Sequence, residues 1–415
     1  MKASGNNAPL LIDVSRLVWR RWSGTRATGI DRICLAWLDH YASRAQAVII
    51  HRRAKAILPE ETSQALFKLL LREEHSKRDT VRFRLDMIRL GLRYGKYMQD
   101  RLPGRGRIWL NAGHTGLDVP GLAEWCRRRE LRPVYLVHDL IPITHPQFCR
   151  EGESERHVHR MRTMIGTAAG IVANSDATLR SYEAFAAEDG AAASPGIVAW
   201  PGTHSLVPSD DRRMPDTQAT SSADFIVLGT IEGRKNHKLL LSVWKNMLSA
   251  KGSGREAPPV PRLVIVGRRG WQADDVFAML DQHDFGGHVV EAGPLPDAQL
   301  APMLQNARAL LFPSLAEGYG MPLIEALAAG VPVIASDLPV FHEIGQGVPE
   351  LLPVSNEEMW RAAIRDYAQP TSVARARQMA RMRNLRLPSW KDHFVALDAY
   401  IGKLSTGRDQ RSEEN

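Results

Sequence analysis

Two glutamates, Glu317 and Glu325, stand with seven residues between them in the run P-S-L-A-E-G-Y-G-M-P-L-I-E, residues 313–325. Paired carboxylates suit acid–base work on a glycosidic bond, so a glycoside hydrolase is one reading of them. Upstream, residues 229–237 read G-T-I-E-G-R-K-N-H, with Arg234 and Lys235 adjacent. Two fixed cations beside a helix entry can hold a diphosphate without a metal ion. A third run, Gly267–Trp271, adds Arg268 and Arg269. A hydrolase leaves these cations unused, whereas stabilising the charge of a departing diphosphate gives them work. Each feature also has a plainer reading: Glu325 complementing a helix dipole, Glu317 as a solvated loop acid, the basic residues as solvated surface charge. The case for chemistry rests on the three runs converging.

Apolar patterning shows which elements must position them. Short runs at Phe225–Leu228, Arg262–Val266, His288–Glu291, Ala309–Phe312 and Val331–Ser336 read as strands. Helical patterns at Asn236–Ala250, Ala273–Gln282, Asp297–Asn306 and Pro322–Ala329 alternate with them. That alternation predicts a parallel sheet covered on both faces. Ligands of such sheets sit beyond the carboxyl ends of the strands, and each of the three runs directly follows a strand. Gly229 ends the first strand, while Gly318 and Gly320, with Tyr319 and Met321 beside them, let backbone N–H groups approach a ligand. Pro322 is expected at the first helical position and Glu325 in the first turn, where the helix N-terminus is a natural anion site.

The first half shows the same alternation, with strands at Leu10–Val14, Ala47–Ile50, Ile108–Asn111, Val134–His138 and Gly170–Asn174. A loop containing Gly24 and Gly29 and then a helix from Ile30 to Tyr41 follow the first of these. The expected organisation is an N-terminal domain over 1–204, a proline-punctuated linker over 205–222 and a C-terminal domain over 223–388. A helix over 389–405 carries Phe394, Leu397 and Ile401 at helical spacing, before a frayed tail over 406–415. The fold class is α/β: two Rossmann-like doubly wound domains facing each other across a cleft. His138 and Asp139, in V-H-D-L-I-P, end a strand, and Asn174 ends another. Tyr182, Trp200 and Trp271 are candidates for sugar stacking or for core packing.

Residues 225–344 resemble the C-terminal domain of glycosyltransferase family four, retaining enzymes of the GT-B architecture. Glu317 and Glu325 match its E-x7-E motif within E-G-Y-G-M-P-L-I-E-A-L-A-A-G-V-P-V-I-A-S, and Glu232–Asn236 resembles its E-P-R-K-N loop. Gly233 replaces the usual proline, a change expected to loosen the loop. The resemblance implies that Arg234 and Lys235 neutralise the donor diphosphate, that Glu325 holds the ribose and that Glu317 contacts the transferred sugar. It implies donor contacts from Gly229, Arg268, Gly318, Tyr319, Gly320 and Met321. His138 and Asp139 match a family motif bordering the active cleft and join Arg234, Lys235 and Glu317 as catalytic candidates. Thr28 and Gly29, in T-R-A-T-G-I-D-R, occupy the place of the family's acceptor-side glycine loop. Asn174, in N-S-D-A-T, resembles a cleft-lining element. The implied activity is metal-independent transfer of a hexose from a nucleotide-sugar to a lipid-linked or oligosaccharide acceptor in bacterial surface or exopolysaccharide synthesis. No cofactor is implied. The R-K-N and G-R-R-G-W runs are similar to those of mannosyltransferases, so GDP-mannose is the expected donor, with UDP- and dTDP-sugars as alternatives.

Composition sets the outer bounds. A chain of 415 residues and 46.3 kDa suits two domains, and 44% hydrophobic with 24% charged residues is ordinary globular usage. Three cysteines, Cys34, Cys126 and Cys149, match neither a disulfide framework nor a zinc site. Asp13 and Arg16 interrupt the early apolar stretch, so a secretory leader and a transmembrane span are not expected and a cytoplasmic location is. The net charge is +8, and residues 66–107 hold twelve Lys/Arg against five Asp/Glu, an excess of +7. Val81, Leu85, Ile88 and Leu92 recur there at helical spacing among arginines. Such a helix either packs plainly on a sheet or docks on an anionic membrane surface, here the inner face of the cell membrane. Nucleic acid is not an expected partner, because no nucleic-acid-binding motif accompanies the charge. A non-catalytic basic module binding membrane or nucleic acid is the alternative from a different class.

Overall fold

A computed structural model describes residues 10–25, 28–52, 54–72, 77–94, 106–203, 224–251 and 259–406. The expected linker, 205–222, and all but the first residue of the expected tail lie outside the described residues. The chain divides into two compact units, each drawn from separate stretches of sequence. The first comprises residues 1–140, 155–201 and 390–415; the second comprises 141–154 and 202–389.

In the first unit the strands are β1 (Leu10–Asp13), β2 (Ala45–His51), β3 (Ala54–Ile57), β4 (Ile108–Asn111), β5 (Arg132–Val137), β6 (Gly170–Ala173) and β7 (Gly196–Val198). They form one sheet in the order β3-β2-β1-β4-β5-β6-β7. All its pairings are parallel except β2 with β3, whose register runs from Val48 opposite Ile57 to His51 opposite Ala54. The expectation of a parallel sheet is corrected at this one edge only, for a chain-length reason. Only two residues separate β2 from β3 in the chain, and a parallel crossover needs a dozen or more. A second correction concerns the residues after β1, expected as loop. They form a helix, Ser15–Ser23, that ends on Gly24 in the left-handed conformation (φ 65°). Four arginine and tryptophan residues in its last five positions hide the apolar signal, and only Ser15 and Leu17 of this helix are buried.

The last helix, Trp390–Thr406, belongs to the first unit. The Tyr400 hydroxyl accepts from the Ile171 N–H (3.2 Å) and donates to the Pro195 carbonyl (2.6 Å). A Cβ at Gly170 would collide with that phenol, so glycine is what lets the helix approach β6. Phe394 stacks on His40 with ring centroids 3.9 Å apart.

In the second unit the strands are β8 (Asp224–Leu228), β9 (Arg262–Val266), β10 (Val289–Glu291), β11 (Ala309–Phe312), β12 (Val333–Ser336) and β13 (Glu350–Leu352). Their order is β10-β9-β8-β11-β12-β13, all parallel. Every residue of β11 and β12 is buried, as expected of strands covered on both faces. Phe225, Val227, Leu240, Trp244, Ile265 and Leu311 are part of its core. From β8 the chain moves outward through β9 to β10 and then returns to place β11 on the other side of β8. The gap between the carboxyl ends of β8 and β11 is therefore the topological switch point of this sheet, the place where open α/β sheets bind ligands.

Candidate active site

The loops that leave β8, β9 and β11 lie side by side on one edge of the second sheet. The first two are laced together by backbone. Ile231 N–H donates to the Arg268 carbonyl (2.9 Å), Gly270 N–H to the Ile231 carbonyl (3.0 Å) and Gly233 N–H to the Trp271 carbonyl (3.3 Å). Gly229 adopts φ 127°, closed to most side chains, and a Cβ on Gly267 would sit 1.8 Å from the Gly229 carbonyl oxygen. The loop is further buttressed by residues 141–154. Trp271 Nε1 donates to the Phe148 carbonyl (3.1 Å), and the Arg150 guanidinium lies 4.5 Å from the Trp271 ring centroid.

This lacing corrects two expectations. Gly233 does not loosen the loop, because its N–H is bonded and a Cβ there would lie 2.5 Å from the Gln272 carbonyl oxygen. Proline has no N–H to give and would overlap that oxygen. Trp271, a candidate for sugar stacking, instead has its indole N–H committed to Phe148 and a face to Arg150.

The switch point itself is bridged by charge. Gly233–Lys235 forms a single 3-10 turn that ends on Asn236 in the left-handed conformation, ahead of the helix His237–Lys251. From this turn Lys235 Nζ reaches Glu317 Oε1 at 2.5 Å, and Arg234 Nη1 reaches the same oxygen at 2.9 Å. Ser314 Oγ donates to it as well, at 2.8 Å. Arg234 also bonds the Ala316 carbonyl (3.1 Å) and Glu232 Oε1 (2.7 Å). Two cations and two carboxylates thus form a compact, formally neutral cluster. Side-chain exposure is 9% or less for Lys235, Glu317 and Glu232 and 23% for Arg234. The two cations expected to hold a diphosphate are thus already neutralised by Glu317 and Glu232.

Burial opposes the charge on Glu317, but Arg234, Lys235 and the hydrogen bonds outweigh it and bring its pKa to about 2. Glu232 goes the other way, raised by burial against the pull of the same two cations. His237 opens the next helix fully buried, with no hydrogen-bond partner on either ring nitrogen, and burial with the Lys235 charge lowers its pKa to about 4. Glu232, Ser314 and His237 were not singled out from sequence. An acid two residues ahead of Arg234 was the signal available for Glu232.

Beyond β11, Gly318 and Tyr319 lead to Gly320, which caps the helix Met321–Ala328 at φ 102°. A Cβ at Gly320 would lie 2.7 Å from the Phe341 ring. Met321 takes the first helical position expected for Pro322, and Glu325 falls in the second turn rather than the first. Glu325 is nearly buried, which turns it from a dipole partner on the surface into a carboxylate inside the fold. Arg268 is exposed, and Arg269 points to Asp281 (2.6 Å) and Glu291 (2.8 Å).

On the first unit, His138, Asp139 and Asn174 lie at the carboxyl ends of β5 and β6. His138 Nε2 lies 2.6 Å from the Ala112 carbonyl. A carbonyl only accepts, so Nε2 carries the proton and Nδ1 keeps its lone pair. Burial lowers the His138 pKa to about 4, with the Ala112 bond opposing, so the ring is neutral at pH 7. His114 and His157 stand near it, their Nε2 atoms on the carbonyls of Leu136 (2.5 Å) and Asp139 (3.0 Å). Asn174 Nδ2 donates to the His138 carbonyl (2.8 Å) and so fixes the backbone that carries the imidazole. Thr28 and Gly29 start a helix, Gly29–Tyr41. Thr28 N–H bonds Asp31 Oδ2 (2.7 Å) in a capping box, and Asp31 holds Arg16 (2.6 Å) and Arg20 (3.0 Å). Tyr182 is fully buried in the core. Among the described residues no cluster of three or more His, Cys, Asp or Glu could hold a metal ion.

Comparison with known proteins agrees with this geometry. Residues 211–376 match the family described as glycosyl transferases group 1. A serotype-specific mannosyltransferase WbdA of Escherichia coli is 29% identical over 224 residues, 51% of this chain and 27% of that protein. The O-antigen chain mannosyltransferase RfbU of Salmonella typhimurium is 40% identical over 78 residues, 19% of this chain and 22% of that protein. The matched stretch thus spans about a quarter of the length of these relatives. Among solved structures, Anabaena Alr3699/HepE in complex with UDP superposes with a TM-score of 0.60 at 14% identity, covering 95% of this chain and 99% of that one. Sucrose-phosphate synthase of Thermosynechococcus elongatus gives 0.59 at 16% identity over 96% and 99%. The fold is GT-B, and the second unit of this chain carries a glycosyl transferases group 1 domain.

Proposed function

We propose that the protein is a retaining mannosyltransferase, moving mannose from GDP-mannose to a lipid-linked or oligosaccharide acceptor in bacterial surface-polysaccharide synthesis. The observation that carries the proposal is the Arg234–Lys235–Glu317 cluster at the switch point of a group 1 domain. The donor diphosphate takes over Arg234 and Lys235 from Glu317, which frees the carboxylate to meet the sugar hydroxyls. Glu325 holds the ribose, Gly229 and Arg268 flank the nucleotide, and the Gly318–Met321 backbone meets sugar or phosphate. As the bond from the anomeric carbon to the phosphate oxygen breaks, the two cations stabilise the charge that develops. The acceptor oxygen bonds the same face of that carbon, and its proton passes to the leaving phosphate. His138, as a neutral imidazole, and Asp139 take part in catalysis, and Thr28, Gly29 and Asn174 serve the acceptor side. No metal or cofactor is needed for these steps.

Mannose is favoured over other hexoses because both sequence relatives given above are named mannosyltransferases. The UDP-bound neighbour, at 14% identity, speaks for the fold. The test supplies GDP-mannose, UDP-glucose or dTDP-glucose with octyl α-mannoside in EDTA and follows release of nucleoside diphosphate. The expected result is acceptor-dependent GDP release that is lost in Glu325→Ala. Turnover of UDP- or dTDP-sugar only would replace the donor assignment. If no donor is consumed with magnesium restored, the transferase reading fails.

A further inference from the structure

The basic segment flagged in the sequence contains the helix Lys77–Tyr94, and the structure shows which way that helix faces. Phe83 is buried in the first unit's core, with Met87 and Leu90 packed against it. Arg84 also serves the fold, its Nε bonding the Trp22 carbonyl at 2.8 Å. Phe83, Met87 and Leu90 form the inner side, and Arg84 flanks it. The remaining apolar residues point outward: Val81 is 55% exposed, Leu85 49% and Ile88 51%. At positions i, i+4 and i+7 they form one stripe, and the other exposed large apolar side chains of the described residues are scattered elsewhere. Arg78, Arg82 and Arg89 are exposed and fall beside that stripe on the helical wheel. Asp86 pairs with Arg89 (3.3 Å) and Arg72 (3.2 Å), while Arg78 and Arg82 make no ion pair among the described residues.

We propose that this outer face docks on an anionic lipid bilayer. A helix apolar on two faces has one face more than its fold requires. The second is bordered by arginines, and their stems can lie along an acyl boundary while the guanidinium groups stay among the headgroups. Nucleic acid would reward the arginines and leave Val81, Leu85 and Ile88 in water. An anionic membrane rewards both. Among the described residues no helix is long and apolar enough to cross a membrane, so the attachment is to its surface.

The test is co-sedimentation of the full chain with phosphatidylcholine vesicles, with and without a third of phosphatidylglycerol, at low and high salt. Binding is expected on the anionic vesicles only and should weaken with salt. Leu85→Ser/Ile88→Ser should reduce it roughly tenfold or more. Arg78→Gln/Arg82→Gln should cost about fivefold per arginine. Both variants should melt with the wild type, since the altered side chains face outward. The proposal is overturned if anionic vesicles fail to bind the chain at low salt, or if both variants bind as well as wild type. It is also overturned if the chain self-associates and Leu85→Ser/Ile88→Ser returns it to monomer, which would make the face a contact between copies.

Discussion

Glu317→Gln separates the two jobs that the structure gives this residue. In the free protein its carboxylate holds Lys235 and Arg234, and the fall of its pKa from 4.5 to about 2 corresponds to about 3 kcal/mol of net attraction. Breaking a buried ion pair from one side costs a similar amount, about 3–5 kcal/mol. Because the folded-state pKa is the lower one, this stabilisation is complete above pH 4.5 and disappears as the pH falls through 2. At pH 7.5 the variant should therefore lose about 3 kcal/mol in the second unit. In a unit of about 200 residues that is a drop of roughly 6–12 °C in melting temperature. Adding GDP should narrow the gap. The wild-type carboxylate competes with the diphosphate for the same cations, and like charges about 4 Å apart repel by about 4 kcal/mol at an effective dielectric near 20, of which solvent and counterions screen a part. The glutamine variant should bind GDP about tenfold tighter and recover more of its melting temperature on saturation, while losing transfer. Calorimetric melting with and without GDP reads both effects. A variant that melts with the wild type, or binds GDP more weakly, refutes the competition argument.

Gly233→Pro should lower the melting temperature of the second unit by the equivalent of about 1–3 kcal/mol, since it deletes a bonded N–H and overlaps the Gln272 carbonyl; unchanged melting would show that the lacing is not tight. Arg269→Ala should leave GDP affinity intact, because its guanidinium is committed to Asp281 and Glu291, and titration calorimetry would expose any donor role. Asp13 is buried and bonded to Ser15, and burial raises its pKa to about 8, above the 3.8 of the unfolded chain. The folded state then holds the extra proton, so its contribution is present below pH 3.8 and is lost as pH rises through 8. The buried histidines, lowered to about 4, make their gain between pH 4 and 6.5, which leaves pH 6.5–8 to Asp13. Melting of the first unit should fall across that window in wild type and stay flatter in Asp13→Asn.

The fold class was legible because buried parallel strands write themselves as short apolar runs, and Ile108–Asn111, Arg262–Val266 and Ala309–Phe312 were read to the residue. What escaped was local. The helix Ser15–Ser23 is hidden by its arginines and tryptophans, and β3 by following β2 after only two residues. At the site, the loops and their edge followed from spacing alone. Which charges neutralise which did not, since Glu317 and Lys235 are 82 residues apart and meet only because β8 and β11 are neighbours. The role of Gly233 was misjudged for the same reason: its constraint comes from Gln272, on a different loop. The outer stripe of Lys77–Tyr94 was visible as apolar spacing, but only packing shows that Phe83, Met87 and Leu90 serve the core and Val81, Leu85 and Ile88 do not.

The central claim is that Arg234 and Lys235 hold the diphosphate of a nucleotide-sugar. Titration calorimetry of GDP, UDP and dTDP into wild type and Arg234→Ala/Lys235→Ala, in EDTA, tests it most directly. The account predicts micromolar binding of GDP to wild type and at least a hundredfold loss in the double variant, whose two charge-assisted contacts carry about 1.5–3 kcal/mol each. Equal affinity in both proteins, or no binding of any diphosphate to wild type, would contradict it.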